Sequence, residues 1–153
     1  MLASGSDQES VVAAPVDAVP EGYARRVLLI EDDADQRALI AWMLRGQGCD
    51  VVEAEGGIDL LGWIGVATSS PGSEYDAIVS DVNMPDMTAI EVLASWRYGS
   101  WTTPLILVTA STDPGLRTDA LALGAAEVLT KPLHPSDLRR ALAKAFARNE
   151  QPR

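Results

Sequence analysis

Three short, continuous apolar runs constrain this chain most: Val27-Leu28-Leu29-Ile30, Ala77-Ile78-Val79 and Leu105-Ile106-Leu107-Val108. An unbroken run, rather than one alternating with polar residues, is expected of a strand covered by helices on both faces. Longer stretches with helical spacing lie at 34–47, 57–67, 88–98, 114–123 and 135–148. Short apolar runs alternating with amphipathic stretches are the pattern of βα units and a mostly parallel sheet. Two shorter, more mixed runs, Cys49 to Glu53 and Glu127 to Leu129, suit strands nearer the edges. The chain is therefore expected to be an α/β protein of five βα repeats. Pro114 and Pro135 stand where a first helical turn tolerates proline, and Gly48 and Gly124 stand where helices are capped.

The flanks carry less. Residues 1–24 are rich in Ser, Ala, Val, Pro and acid without a sustained period, and read as a flexible arm. The globular unit is expected over 25–148, with 149–153 a short tail and no second domain. An apolar content of 47% over 153 residues fits one such unit.

Charge and rare residues then exclude several function classes. Twelve Lys and Arg against twenty-two Asp and Glu leave a formal charge of −10, so direct nucleic-acid binding is disfavoured. A single cysteine, Cys49, rules out an internal disulfide framework and a thiolate zinc cluster, and a single histidine, His134, removes most imidazole metal sites. No apolar run approaches the roughly 18 residues of a membrane span, and the N-terminus lacks a secretory pattern. A soluble protein of the reducing cytoplasm is expected.

In a parallel α/β sheet, ligands sit outside the carboxyl ends of the strands, near the point where strand order reverses. The residues that follow the apolar runs are therefore the ones to read. They are Glu31-Asp32-Asp33 after the first, Ser80-Asp81 after the third, Thr109-Ala110 after the fourth and Thr130-Lys131-Pro132 after the fifth. Carboxylates gathered without histidine make a hard-oxygen site suited to Mg²⁺ rather than zinc. Lysine occurs only at 131 and 144 while arginine supplies the other ten basic residues, so a compact ammonium at Lys131 looks selected to neutralise an oxyanion.

The ordered set Val27 to Asp33, Asp81-Val82-Asn83-Met84-Pro85, Val108-Thr109-Ala110 and Lys131-Pro132 resembles the receiver domain of two-component response regulators, over residues about 26–148. That resemblance implies a doubly wound, flavodoxin-like (βα)5 fold with strand order 2-1-3-4-5. It implies that Asp81 accepts a phosphoryl group from a histidine kinase or a histidine phosphotransfer protein and passes the signal to a downstream protein target. It further implies that Glu31, Asp32, the Asp81 carboxylate and the main-chain carbonyl of Asn83 hold Mg²⁺. Lys131 would pair with the aspartyl phosphate, Thr109 would hydrogen-bond it, and the Lys131–Pro132 bond would be cis. On this reading the chain is a stand-alone phosphoacceptor with at most slow self-dephosphorylation, not a turnover enzyme.

Three positions depart from the family pattern. Ala89 replaces a usual glycine, Asp86 adds a carboxylate after the Met-Pro step, and Val128 stands where many receivers carry an aromatic residue that swings inward with the threonine. Two rival readings remain weaker. A degenerate receiver would have lost an acid, Asp81 or Lys131, and a phosphohydrolase would need an aspartate two residues after Asp81, where Asn83 stands.

Other residues have plainer roles. Asp33 suits a helix N-cap, Cys49 a small buried hydrophobe, and Arg139, Arg140, Lys144 and Arg148 a solvated face, while His134 at a helix start receives no role. Over 34–47, Leu39, Ile40, Met43 and Leu44 form one stripe, and Trp42 falls well away from its centre. An exposed indole there is expected to help dock the phosphodonor.

Overall fold

The computed structural model describes residues 24–56, 75–83, 91 and 103–150. Five parallel strands, β1 (Arg26–Ile30), β2 (Asp50–Ala54), β3 (Ala77–Asp81), β4 (Leu105–Thr109) and β5 (Glu127–Thr130), form one sheet in the order β2-β1-β3-β4-β5. The expected 2-1-3-4-5 order is therefore found, with both mixed runs at the edges. The described helices are α1 (Ala34–Gly46), α2 (Pro114–Ala122) and α3 (Pro135–Glu150). The arm at 1–23, the expected helices at 57–67 and 88–98 apart from Glu91, and the departures at Asp86 and Ala89 lie outside the described residues.

Successive strand residues point to opposite faces, so an unbroken apolar run feeds two cores at once. Val27 and Leu29 of β1 pack with Ile40 and Leu44 of α1 and with Leu138, Leu142 and Phe146 of α3. Leu28 and Ile30 pack on the other face with Ile78, Leu105, Leu107 and Ala120 of α2. Strand order reverses between β1 and β3, because β1 neighbours β2 on one side while β3 leads on to β4. The crevice expected to hold a ligand opens at the carboxyl ends of these two strands.

The helix ends follow local chemistry. Asp33 caps α1 by accepting the Gln36 N–H at 2.9 Å, and Asp113 caps α2 by accepting the Gly115 N–H at 2.9 Å. Gly48 and Gly124 take φ of 86° and 111° just past α1 and α2, a conformation that a Cβ disfavours. The structure adjusts four expectations. β3 and β4 run on through Asp81 and Thr109, because their pairings Asp81 with Val108 and Thr109 with Thr130 continue the ladder. Cys49 precedes β2, its N–H closing on the Leu44 carbonyl at 3.2 Å. Burial, reinforced by the Asp76 charge, pushes its thiol up to about 11, so it serves as a buried hydrophobe. Helix α3 continues to Glu150, into the expected tail.

Leu39 is the fourth correction. The buried face of α1 is Ile40, Ala41, Met43 and Leu44, whereas Leu39 is 48% exposed. At about 100° per residue Leu39 lies about 40° beyond Met43, just off the buried arc, while the small Ala41 closes the arc on its other side.

Candidate functional site

The ends of β1, β3 and β5 bring together the residues that the sequence pointed to. One carboxylate oxygen from each of Glu31, Asp32 and Asp81 lies within 4.8 Å of the others. Lys131, just past β5, crosslinks two of them: its Nζ is 3.0 Å from Glu31 Oε1 and 2.9 Å from Asp81 Oδ2. Asp81 Oδ1 accepts the Asn83 N–H at 2.9 Å, so the residue expected to add a main-chain oxygen stands beside the cluster. The Lys131–Pro132 peptide is cis.

Burial and like charge are balanced within this cluster. Glu31 is buried and Asp32 exposed, with Asp81 between them. Burial pushes the Glu31 carboxyl above its ordinary value, and the neighbouring Asp81 charge adds to this, while the Lys131 and Asp33 hydrogen bonds work against it. For Lys131, burial alone would lower the pKa, but the hydrogen bonds to Asp81 and Glu31 outweigh it and hold the ammonium above its usual range. The charged form of Lys131 is thus the one the site stabilises.

Thr109 closes β4 and is 2% exposed. Its hydroxyl accepts the Ser111 N–H at 3.0 Å, and its carbonyl accepts the Lys131 N–H at 2.7 Å. Thr109 is therefore tied to the lysine through the main chain, with its side chain committed to its own turn. Beside it lies a half-open cavity of about 190 Å³, whose walls include Ser111, Leu116, Arg117, Val128 and Thr130. Val128 is buried. Arg117 reaches over β5, donating to the Val128 carbonyl at 2.6 Å and pairing with Glu127 at 2.8 Å.

Sequence reasoning missed the support of Glu31. Its Oε2 accepts the Asp33 N–H at 3.2 Å, its N–H donates to the Ala54 carbonyl at 3.1 Å, and its carbonyl accepts from Arg37 Nη1 at 2.8 Å. Reading Arg37 as one more polar residue of an amphipathic helix hides this reach back to the strand end, because helical spacing gives direction but not side-chain length.

With this geometry in place, the comparisons with known proteins speak to one family. Residues 27–143 match the response regulator receiver domain, and the chain belongs to that family. It is 35% identical over 116 residues to the cell cycle transcriptional regulator CtrA of Caulobacter vibrioides, which covers 74% of this chain and 46% of that relative. The chain thus spans about half the length of that relative. Among solved structures it resembles the chemotaxis response regulator CheY4 of Vibrio cholerae, with TM-score 0.65, 30% identity, and 83% of this chain and 99% of the other covered. The receiver domain of Francisella response regulator 1452 matches with TM-score 0.73, 26% identity, and coverage of 82% and 99%. The fold is the five-stranded receiver fold of two-component signalling.

Receiver domains generally bind Mg²⁺ at an acidic cluster, and the donors among the described residues fit that ion: three carboxylates, without sulfur or imidazole. No helix among the described residues is long and apolar enough to cross a membrane.

Proposed function

We propose that this protein is a Mg²⁺-dependent phosphoacceptor whose phosphorylated residue is Asp81. The observation that carries this reading is Lys131, an ammonium shared between Asp81 and Glu31 at 2.9 and 3.0 Å, next to a third carboxylate, at the crevice where strand order reverses. An Asp81 oxygen attacks the phosphorus of a phosphohistidine in line; the new O–P bond forms as the N–P bond breaks, and the histidine nitrogen leaves with the electron pair. Glu31, Asp32, Asp81 and the Asn83 main-chain carbonyl would hold Mg²⁺, which would supply positive charge to offset the charge on the transferring group. Lys131 retains its charge throughout and moves from pairing a carboxylate to pairing the acyl phosphate. Thr109 then exchanges its bond with Ser111 for one to a phosphoryl oxygen.

The donor is a histidine kinase or a histidine phosphotransfer protein that docks on α1. Trp42 is 71% exposed and Leu39 48% exposed on the same side of that helix, an apolar pair beginning just past the acid turn. Large aromatics of this kind are frequent interface anchors. The downstream target is a protein, and the −10 charge favours neither nucleic acid nor an anionic membrane as a direct partner. The domain spans 25–148 and works in the cytoplasm as a signalling phosphoacceptor with slow self-dephosphorylation. Incubation with Mg²⁺ and a small phosphodonor should add one phosphoryl group by intact mass, and Asp81→Asn should add none. Undiminished labelling of that variant overturns the assignment.

A further inference from the structure

We propose that Arg37 is a positioning residue for the metal-binding acids, acting through the main chain of Glu31. The inference rests on the Mg²⁺ reading above and names what keeps the acid turn in place. Three acids crowd one end of the sheet, and their mutual repulsion favours a looser turn after β1. Arg37 opposes this from the first half of α1. Its Nη1 donates to the Glu31 carbonyl at 2.8 Å, and its Nε lies 3.5 Å from Glu53 Oε1 on the edge strand β2.

The arrangement is a staple across two strand ends. The Glu31 N–H is bonded to Ala54, the residue after Glu53, and the Glu31 carbonyl is bonded to a guanidinium that also reaches Glu53. Glu31 thereby has both main-chain groups and both carboxylate oxygens engaged, by Ala54, Arg37, Lys131 and Asp33. Of these four partners Lys131 must also serve Asp81, and Asp33 also caps α1. Of the four, Arg37 is the one whose side chain holds the Glu31 main chain rather than a carboxylate of the cluster. Its side chain is 18% exposed, so the contact is shielded from water, and a planar fork suits two acceptors set apart as these are. Arg45 also pairs with Glu53, at 3.1 Å, but its other bond goes to Val51 rather than to Glu31. It is the matched control.

The sign of the effect separates positioning from charge. Deleting a cation that is bonded to the Glu31 main chain should by Coulomb's law leave Mg²⁺ binding unchanged or tighter, whereas loosening the acid turn should weaken it. Supporting partners of metal ligands typically change affinity by about 10–100-fold. Calorimetric Mg²⁺ titration of the full chain should therefore show Arg37→Ala weakened by about tenfold or more, and Arg45→Ala unchanged. Phosphorylation by a small phosphodonor should need correspondingly more Mg²⁺ in Arg37→Ala, yet reach a near-wild-type rate when Mg²⁺ saturates. Arg37→Lys should fall between, because one ammonium cannot fork both acceptors; it carries the comparison if the alanine variant unfolds. Unchanged or tighter Mg²⁺ binding in both Arg37 variants overturns the inference while leaving the metal site standing. Equal weakening in Arg45→Ala also overturns it, since general loosening around Glu53 would then be the cause. A wild-type chain that binds no Mg²⁺ removes the metal reading and this inference together.

Discussion

The two sides of the sheet's carboxyl rim are built differently. Around β1 and β3, Glu31, Asp81 and Lys131 are joined by bonds of 2.9–3.0 Å, and the Glu31 backbone is held from both sides. Around β4 and β5, among the described residues, the Thr109 hydroxyl serves its own turn, and a cavity of about 190 Å³ lies between that turn and Val128 and Arg117. The first side gathers like charges that would separate unless held. On the proposed reading the second side would change shape when a phosphoryl group arrives, and the open space beside Thr109 would allow this with little repacking. Cross-links sit where charge is concentrated, and open space sits beside Thr109.

The largest expected effect breaks the first side. At free Mg²⁺ a hundredfold above its Kd, the wild-type chain should gain about 2.7 kcal/mol of stability by mass action, and Asp32→Ala should lose that gain. Melting temperature against Mg²⁺ concentration measures it, and an intact response in the variant would place the metal elsewhere. Next comes docking, which should be separable from both sides. Trp42→Ala should cost about 2 kcal/mol in the encounter, or roughly 30-fold in transfer from the cognate phosphotransfer protein, with labelling by a small phosphodonor nearly unchanged. Equal slowing with both donors would mean damage to the fold instead.

A smaller effect sharpens the second side. Without an aromatic at 128, phosphorylation should alter amide hydrogen exchange in the Thr109 to Asp113 loop more than on the face formed by α2 and α3. A larger change on those helices would show that Val128 transmits the signal as an aromatic does.

The smallest effect concerns Glu127. Burial would raise this carboxyl, but the Val128 N–H and the Arg117 guanidinium, with Lys144 behind them, hold it below its ordinary value of 4.5. A carboxyl depressed on folding stabilises the fold above that ordinary value and stops doing so as pH falls through the lower, folded value. Glu127→Gln should therefore shift the urea midpoint by the equivalent of less than about 1 kcal/mol at pH 7, since Arg117 and Lys144 are largely exposed, and the difference should vanish in acid. A difference that persists in acid would refute the ion-pair account.

Much of this was legible in the residues themselves. Unbroken apolar runs announced strands covered on both faces, because each run must supply two cores, as Leu28 and Leu29 do. Asp33 announced its cap, because a short acid directly before a periodic stretch can accept from the unpaired N–H groups of the first turn. Asp81, Thr109 and Lys131 announced a rim, because side chains at successive parallel strand ends share one edge of the sheet. Leu39 was misplaced because helical spacing gives angles but not the width of the face a neighbour covers, and the sheet covers Ala41 instead.

Sequence alone thus determined the five strands, the three described helices and which acids stand at the strand ends, since these depend on local periodicity and on which residue types carry charge. Only the tertiary structure decided that Lys131, a hundred residues from Glu31, pairs with it at 3.0 Å, that Arg37 turns back to the Glu31 carbonyl, and that space remains beside Val128. Those outcomes depend on how far a side chain reaches across neighbouring strands and on what volume is left between them, and neither distance nor volume is written in spacing along the chain.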